Sequence, residues 1–360
     1  MKNRLITFTF LLFLVSIFMM NILGPTKDIS FSERRELEKF PTLTVEKVLN
    51  GDFMDKFEKF ALDQFRSIKS FAQYNIFNKS DNNDIYVIDD NVYKLEYPLN
   101  VDSVYNMSDY FNKVYDMYLK DNNVFYSIIP DKNYFVAKEN GYLSIEYDKL
   151  EKIMLENVKH MTYINIMNCL DKNDYYKTDT HWKQEELGEV VKTISQKMNF
   201  RTDVNNTQYT LKTYDPFYGV YYGQAALNVE PDVLTYKVSP SISDAIVRNY
   251  EYSGDEGKEP GVYDTEKLSG MDSYDVFMSG STPLTTIENP NNKTGKELII
   301  FRDSFASSLS PLLIEEYSKI TLIDLRYVSY RAIGDYVDFD TQDVLFIYST
   351  LVINNSNILK

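Results

Sequence analysis

Apolar and polar positions follow two rhythms along this chain. Within Val45 to Gln73, Phe53, Phe57, Phe60 and Ala61 recur at i, i+4, i+7 and i+8, the spacing of a helix with one buried face. Asn123–Pro130, NVFYSIIP, is a short, mostly apolar run closed by proline, which predicts a buried strand. Ile145–Lys159 returns to helical spacing, Met161–Met167 (MTYINIM) reads as a strand and Glu185–Met198 as a helix. Nearer the C-terminus, Leu298–Phe301 predicts a strand and Phe305–Tyr317 a helix. Lys319–Arg326 (KITLIDLR) and Asp343–Thr350 (DVLFIYST) predict two further strands. Strands alternating with helices at these lengths predict βαβ units, hence an α/β fold on a mostly parallel sheet. Short β-like pieces around Ile85–Val92 precede this core. Residues 202–290, rich in Tyr, Gly, Asp and Ser, predict an irregular insertion that forms a substrate-facing wall.

The first 26 residues break the pattern. Lys2 and Arg4 are followed by no charge from Leu5 to Thr26. About 20 apolar residues suffice to cross a bilayer, and positive charge in front favours an inside N-terminus. The run lacks an Ala-x-Ala cleavage site, so residues 1–26 are expected to be an uncleaved signal-anchor, with a cleaved signal peptide as the alternative. Residues 27–80 then form an N-terminal arm and helix, and residues 81–360 an extracytoplasmic α/β domain.

Charge and composition narrow the function. The net charge is −15 and no Lys/Arg cluster is present, so nucleic acid is not an expected partner. A single cysteine, Cys169, allows neither an internal disulfide nor a cysteine-based zinc site. Two histidines, His160 and His181, are too few for a multi-histidine centre, and no metal or cofactor is expected. The 30 tyrosines first of all fill core and strands; exposed ones can stack on sugars.

Ligands of parallel α/β sheets bind outside the carboxyl ends of the strands. Two polar clusters fall there: Asp179 and His181 in KTDTHWKQEELG, and Arg302-Asp303-Ser304 directly after the strand Leu298–Phe301. Serine needs a base to act as a nucleophile, histidine can take its proton, and a carboxylate can fix that histidine's tautomer. His160, at the end of a helical pattern, suits a dipole-complementing role. Asp303 or Ser304 also suits an N-cap, as do Asp179 and Thr180. Each cluster alone therefore admits a structural reading beside a catalytic one.

Together, DTHW before a helix carrying Gly188, and RDSF followed by SLSPLL, resemble the DHHW proteins of Gram-positive bacteria. These are relatives of the alginate O-acetylation proteins within the SGNH-hydrolase-like superfamily. FSERRELEKFPTLT, VFYSIIPDKNYF, FYGVYYGQAAL and YDVFMSGSTPLTTIENP extend the resemblance over most of the chain. It implies an SGNH-like three-layer α/β/α sandwich and a Ser304–His181–Asp179 triad. It also implies acetyl transfer to, or ester hydrolysis on, a cell-surface polysaccharide, with a membrane-bound O-acyltransferase as partner. Thr180 stands where the family has its first histidine, and Arg302 where SGNH enzymes have glycine. The oxyanion glycine and asparagine have no evident counterpart; Gly280 with Ser281, or Gly219, are the candidates. Arg326 could hold an anionic group or form a structural ion pair. The alternative function is a non-catalytic polysaccharide-binding or assembly protein of an export complex.

Overall fold

The computed structural model describes residues 2–23, 29–30, 35–77, 79–202, 204–226, 229–251 and 257–360; the side chains of residues 61–68, of Asn205 and of part of 2–35 lie outside the description. Seven strands form the central sheet: β1 (Asn123–Ile129), β2 (Thr162–Tyr163), β3 (Ile246–Tyr250), β4 (Leu284–Glu288), β5 (Glu297–Arg302), β6 (Lys319–Ile323) and β7 (Asp343–Ser349). Their order is β2-β1-β7-β5-β6-β4-β3. The pairs from β2 through β6 are parallel, whereas β4 is antiparallel to both β6 and β3. The expected α/β fold with a mostly parallel sheet is present. Two strands from the irregular stretch 202–290, β3 and β4, extend this sheet at one edge. Thr210–Phe217 and Asp232–Val238 of the same stretch pair as a separate hairpin.

Alternation along the strands divides the interior in two. Leu298 and Ile300 of β5 face a core that includes Trp182, Val190, Ile194 and Leu309. Ile299 and Phe301 face the other core, with Val104, Met107, Phe111 and Val114 from the helix Val101–Tyr118 and Leu150, Ile153 and Met154 from Tyr147–Asn157. Each core is packed on by helices, giving three layers.

Several expected elements are shorter in the structure, each for a local reason. The predicted helix over Val45–Gln73 breaks at Asn50–Gly51. Gly51 has φ +88°, and Asn50 Oδ1 accepts the Asp52 N–H. Of Met161–Met167 only Thr162–Tyr163 pairs with β1, because the Asn165 side chain accepts the Met167 N–H and turns the chain. The predicted helix Phe305–Tyr317 becomes Ala306–Leu309 followed by a 3-10 turn, Ser310–Leu313. Pro311 lacks an N–H, and Ser308 and Ser310 bond back to the carbonyls of Phe305 and Ala306.

Lys2–Leu23 is helical. Among the described residues, however, no helix is long and apolar enough to cross a membrane. The expected anchor over residues 1–26 is therefore not supported there; residues 24–26 and several side chains of the helix lie outside the described residues.

Candidate functional site

Ser304 is placed by the sheet. Strand β5 ends at Arg302, and Asp303 opens the turn. One Asp303 oxygen accepts the Phe305 N–H (3.1 Å) and the other the Ser349 N–H at the end of β7 (2.7 Å). Asp303 thus ties the serine turn to the neighbouring strand. The Ser304 carbonyl accepts from Ser307, and its own N–H has no acceptor among the described residues.

Asp179 and His181 sit on a loop with no strand of the central sheet behind it. A bridge between Tyr175 and Trp182 closes the loop, with the Tyr176 N–H donating to the His181 carbonyl. Two side chains and a closely packed glycine then fix its backbone. Asp232 accepts from the Lys177 N–H (2.7 Å), the Thr178 N–H (2.8 Å) and the Thr178 hydroxyl (2.6 Å). The buried Lys132 ammonium lies within hydrogen-bond distance of four carbonyls: Val92 (2.7 Å), Tyr176 (2.7 Å), Lys177 (2.9 Å) and Asp179 (3.2 Å). Burial lowers this lysine to about 7, against the opposing pull of Asp232 and Asp179. Gly219 lies against the Thr178–Asp179 peptide so closely that a Cβ there would fall 2.3 Å from Thr178 C and 2.4 Å from Asp179 N. Its neighbour Val220 donates its N–H to Asp179 Oδ2 (2.7 Å).

These two parts meet. Asp179 Oδ1 lies 2.6 Å from His181 Nδ1, and His181 Nε2 lies 2.8 Å from Ser304 Oγ. Asp179 is fully buried, and its Oδ1 also accepts the His181 backbone N–H (3.0 Å). Acceptor-only at both oxygens, the carboxylate requires a proton on Nδ1 and leaves Nε2 free to accept from the serine hydroxyl. Tyr274 lies flat on the imidazole, with ring centroids 3.8 Å apart and planes 7° off parallel. Burial raises the Tyr274 phenol well above its usual range, so it stays a donor, to Ser308 Oγ at 2.9 Å. Trp182 joins the two parts directly: its indole N–H reaches the Phe305 carbonyl (3.0 Å) and Ser308 Oγ (2.9 Å).

The remaining sequence candidates serve around this centre. Arg302 is fully buried, and its Nη1 donates to Ser281 Oγ (3.1 Å) and Ser307 Oγ (3.2 Å). Arg326 grips Asp324 through two bonds (2.9 and 2.6 Å) and also approaches Ser281 Oγ (3.5 Å). Gly280, with φ +92°, turns the chain against the Asp275 carboxylate. His160 stacks on Tyr115, away from Ser304.

Sequence reasoning missed Lys132, Asp232 and Tyr274. Only Lys132 had a legible signal: Asp131-Lys132 follows β1 and Pro130 just as Asp303-Ser304 follows β5.

No family model matches this chain, and no curated protein matches it. Solved structures do. A DHHW family protein from Eubacterium siraeum superposes over 77% of this chain and 94% of its own, with TM-score 0.64 and 21% identity. The chain shares the fold of a DHHW protein. Bacillus cereus PatB1, solved with a sulfonyl adduct, covers 76% of this chain and 95% of its own, with TM-score 0.57 and 18% identity. The O-acetyltransferase domain of Pseudomonas putida AlgJ is a looser match (75% of this chain, 92% of its own), with TM-score 0.45 and 10% identity. The resemblance to DHHW proteins carried by DTHW and RDSF is thus met at the level of the fold.

Proposed function

We propose that this chain is an SGNH-type acyl transferase or esterase of the DHHW family, acting outside the cytoplasmic membrane on a cell-surface polysaccharide. The observation that carries the reading is the unbroken hydrogen-bond line from Asp179 through His181 to Ser304. His181 Nε2 takes the Ser304 proton as Oγ bonds to the carbonyl carbon of an acetyl ester. The ester oxygen leaves with that proton, and the acetyl group stays on Ser304. A sugar hydroxyl, or water, then gives its proton to His181 and attacks the acyl carbon; Ser304 departs and regains the proton. Asp179 holds the imidazole and stabilises its charged form. The Ser304 N–H, free of an acceptor among the described residues, suits the developing oxyanion. On this reading the apolar N-terminal segment anchors the protein, and a membrane-bound O-acyltransferase supplies the acetyl group.

The test is hydrolysis of a chromogenic acetyl ester by the parent, Ser304→Ala and His181→Ala proteins, together with labelling by an aryl sulfonyl fluoride. PatB1 has been captured as a sulfonyl adduct, and the equivalent label here should be found on Ser304 by peptide mass spectrometry. Turnover is expected to fall about 10⁴-fold or more in both variants with folding intact. A label on any other residue, or activity surviving Ser304→Ala, would sink the assignment.

A further inference from the structure

A second feature lies at the same edge of the sheet as the serine. Phe301 of β5 pairs with Ile323 of β6, Ile323 with Leu284 of β4, and Leu284 with Tyr250 of β3. This row marks the carboxyl edge of the parallel strands, and Ser304 stands just beyond Phe301. Strands lie about 4.8 Å apart, so three steps put Tyr250 roughly 14 Å to the side of the serine strand. A cleft of about 180 Å³ opens there, lined in part by Tyr250, Pro283, Leu284, Tyr327, Val328 and Tyr336.

The tyrosines of this cleft differ from those of the interior. Tyr86, Tyr147, Tyr175 and Tyr274 are buried with each hydroxyl partnered, and Tyr176 and Tyr348 are buried with hydroxyls that have no partner among the described residues, so it is exposure that sets the cleft apart. Tyr327 and Tyr336 are 47% and 46% exposed. Among the described residues, the hydroxyls of Tyr250, Tyr327 and Tyr336 hold no hydrogen bond; the Tyr250 and Tyr336 rings meet no other ring, and the Tyr327 ring carries the Arg326 guanidinium on one face, 5.4 Å from its centroid. The cleft is also joined to the serine turn. Ser281 accepts from Arg302 and from Arg326, and the chain continues from these residues into Pro283 and Tyr327.

We propose that this cleft is an acceptor subsite that seats one uncharged sugar unit of a glycan, about two to three units along the chain from the unit that reaches Ser304. The inference rests on the function proposed above and adds where the acceptor is held. A sugar ring has apolar C–H faces and a rim of hydroxyls. Exposed phenol rings offer both an apolar face and a polar tip to such a group. The cleft is smaller than the few-hundred-Å³ pockets that take drug-sized ligands, so it fits one ring and not a folded segment. Among the described residues its lining carries Glu251 and no cation, Arg326 over the Tyr327 ring is already paired with Asp324, and the chain's net charge is −15, which disfavours a polyanionic acceptor.

The test uses the full chain in detergent and saturation-transfer NMR. The probes are chitotetraose, maltotetraose and cellotetraose, with tetragalacturonate as the anionic control. At least one neutral tetrasaccharide is expected to bind, and tetragalacturonate is not. Tyr327→Ala and Tyr336→Ala should each weaken that binding about tenfold, whereas Tyr327→Phe keeps the stacking face and most of the affinity. Unchanged thermal melts confirm that these exposed positions do not disturb folding. Ser304→Ala should bind like the parent, which separates the two readings. If Ser304→Ala abolishes esterase activity while the tyrosine changes leave binding untouched, the subsite fails and the triad stands. If binding follows the tyrosines but Ser304→Ala leaves esterase activity intact, the triad fails and the subsite survives as a lectin-like site. Failure of every neutral probe to bind overturns the subsite.

Discussion

The two halves of the candidate site are built by different means. The serine half rests on strands: β5 delivers Ser304, and Asp303 fastens the turn to β7. The histidine half has no strand of the sheet behind it. Its shape comes from Asp232 on two backbone N–H groups, Lys132 on backbone carbonyls, and Gly219 against the Thr178–Asp179 peptide. A strand end is held by many bonds shared along a ladder, whereas this loop hangs on a few buried side chains. Single substitutions should therefore damage the histidine half far more than the serine half, the reacting groups themselves excepted.

The largest effect is expected from Asp179→Asn. An amide in place of the carboxylate can present an N–H to Nδ1 and stabilise the wrong tautomer, so turnover of the acetyl ester should drop about 10⁴-fold with little change in fold. A variant within tenfold of the parent would show that Asp179 is only a loop fastener.

A pair of buried cations sharpens the comparison. Lys132→Met strands the carbonyls that the ammonium now satisfies and should cost about 3 kcal/mol by urea unfolding. Arg302→Met should cost under about 1 kcal/mol. Arg302 is fully buried, yet among the described residues its Nε and Nη2 have no partner, and its nearest Asp324 oxygen is 3.8 Å away, already held by Arg326. Replacing such a charge by an apolar side chain of similar size is often neutral. Equal losses in the two variants would break the contrast between the halves.

Gly219→Ala comes next. Its new Cβ would collide with backbone atoms, so the Thr178–Asp179 peptide must move. A displacement near 1 Å costs about 10²-fold in rate when it misaligns reacting groups. The kinetic assay should show this in kcat, with the serine still labelled by the sulfonyl reagent if its own half is undisturbed.

How much of this was legible in sequence follows the same division. The strands at NVFYSIIP, ELIIF and DVLFIYS announce themselves because both faces are buried and the runs are continuously apolar. Their carboxyl ends then point to Ser304, and the lone DTHW to its partner. The helix Val101–Tyr118 went unread although Val104, Met107, Phe111 and Val114 carry its spacing and Asn100 caps it. The loop's supports were invisible for a stronger reason. Asp232 and Tyr274 reach the site from positions distant in the chain, inside a stretch with no regular period, and only folding brings them together. The shortened helix after Ser304 follows from Pro311 and its flanking serines, which read as breakers once weighed against the apolar pattern.

A finer effect than the loss of Lys132 itself is the pH dependence that this group sets. In the folded chain burial lowers this group to about 7, with Lys183 adding to the shift and Asp232 and Asp179 opposing it; in the unfolded chain it titrates near the ordinary 10.5. Between these values the unfolded state binds more protons than the folded one, so the stability attributable to this group rises with pH. Below about 7 both states hold the proton, and the burial cost of the charge is fully present. The parent should therefore gain about 1.4 kcal/mol relative to Lys132→Met between pH 6 and pH 8, read as the change in the gap between their urea midpoints. The carbonyls around the ammonium pull the other way, since each prefers a charged donor. A gap that stays constant from pH 6 to pH 8 would mean that those carbonyls hold the proton in place. The loop would then hang on a permanent buried charge instead of one that is shed near neutrality.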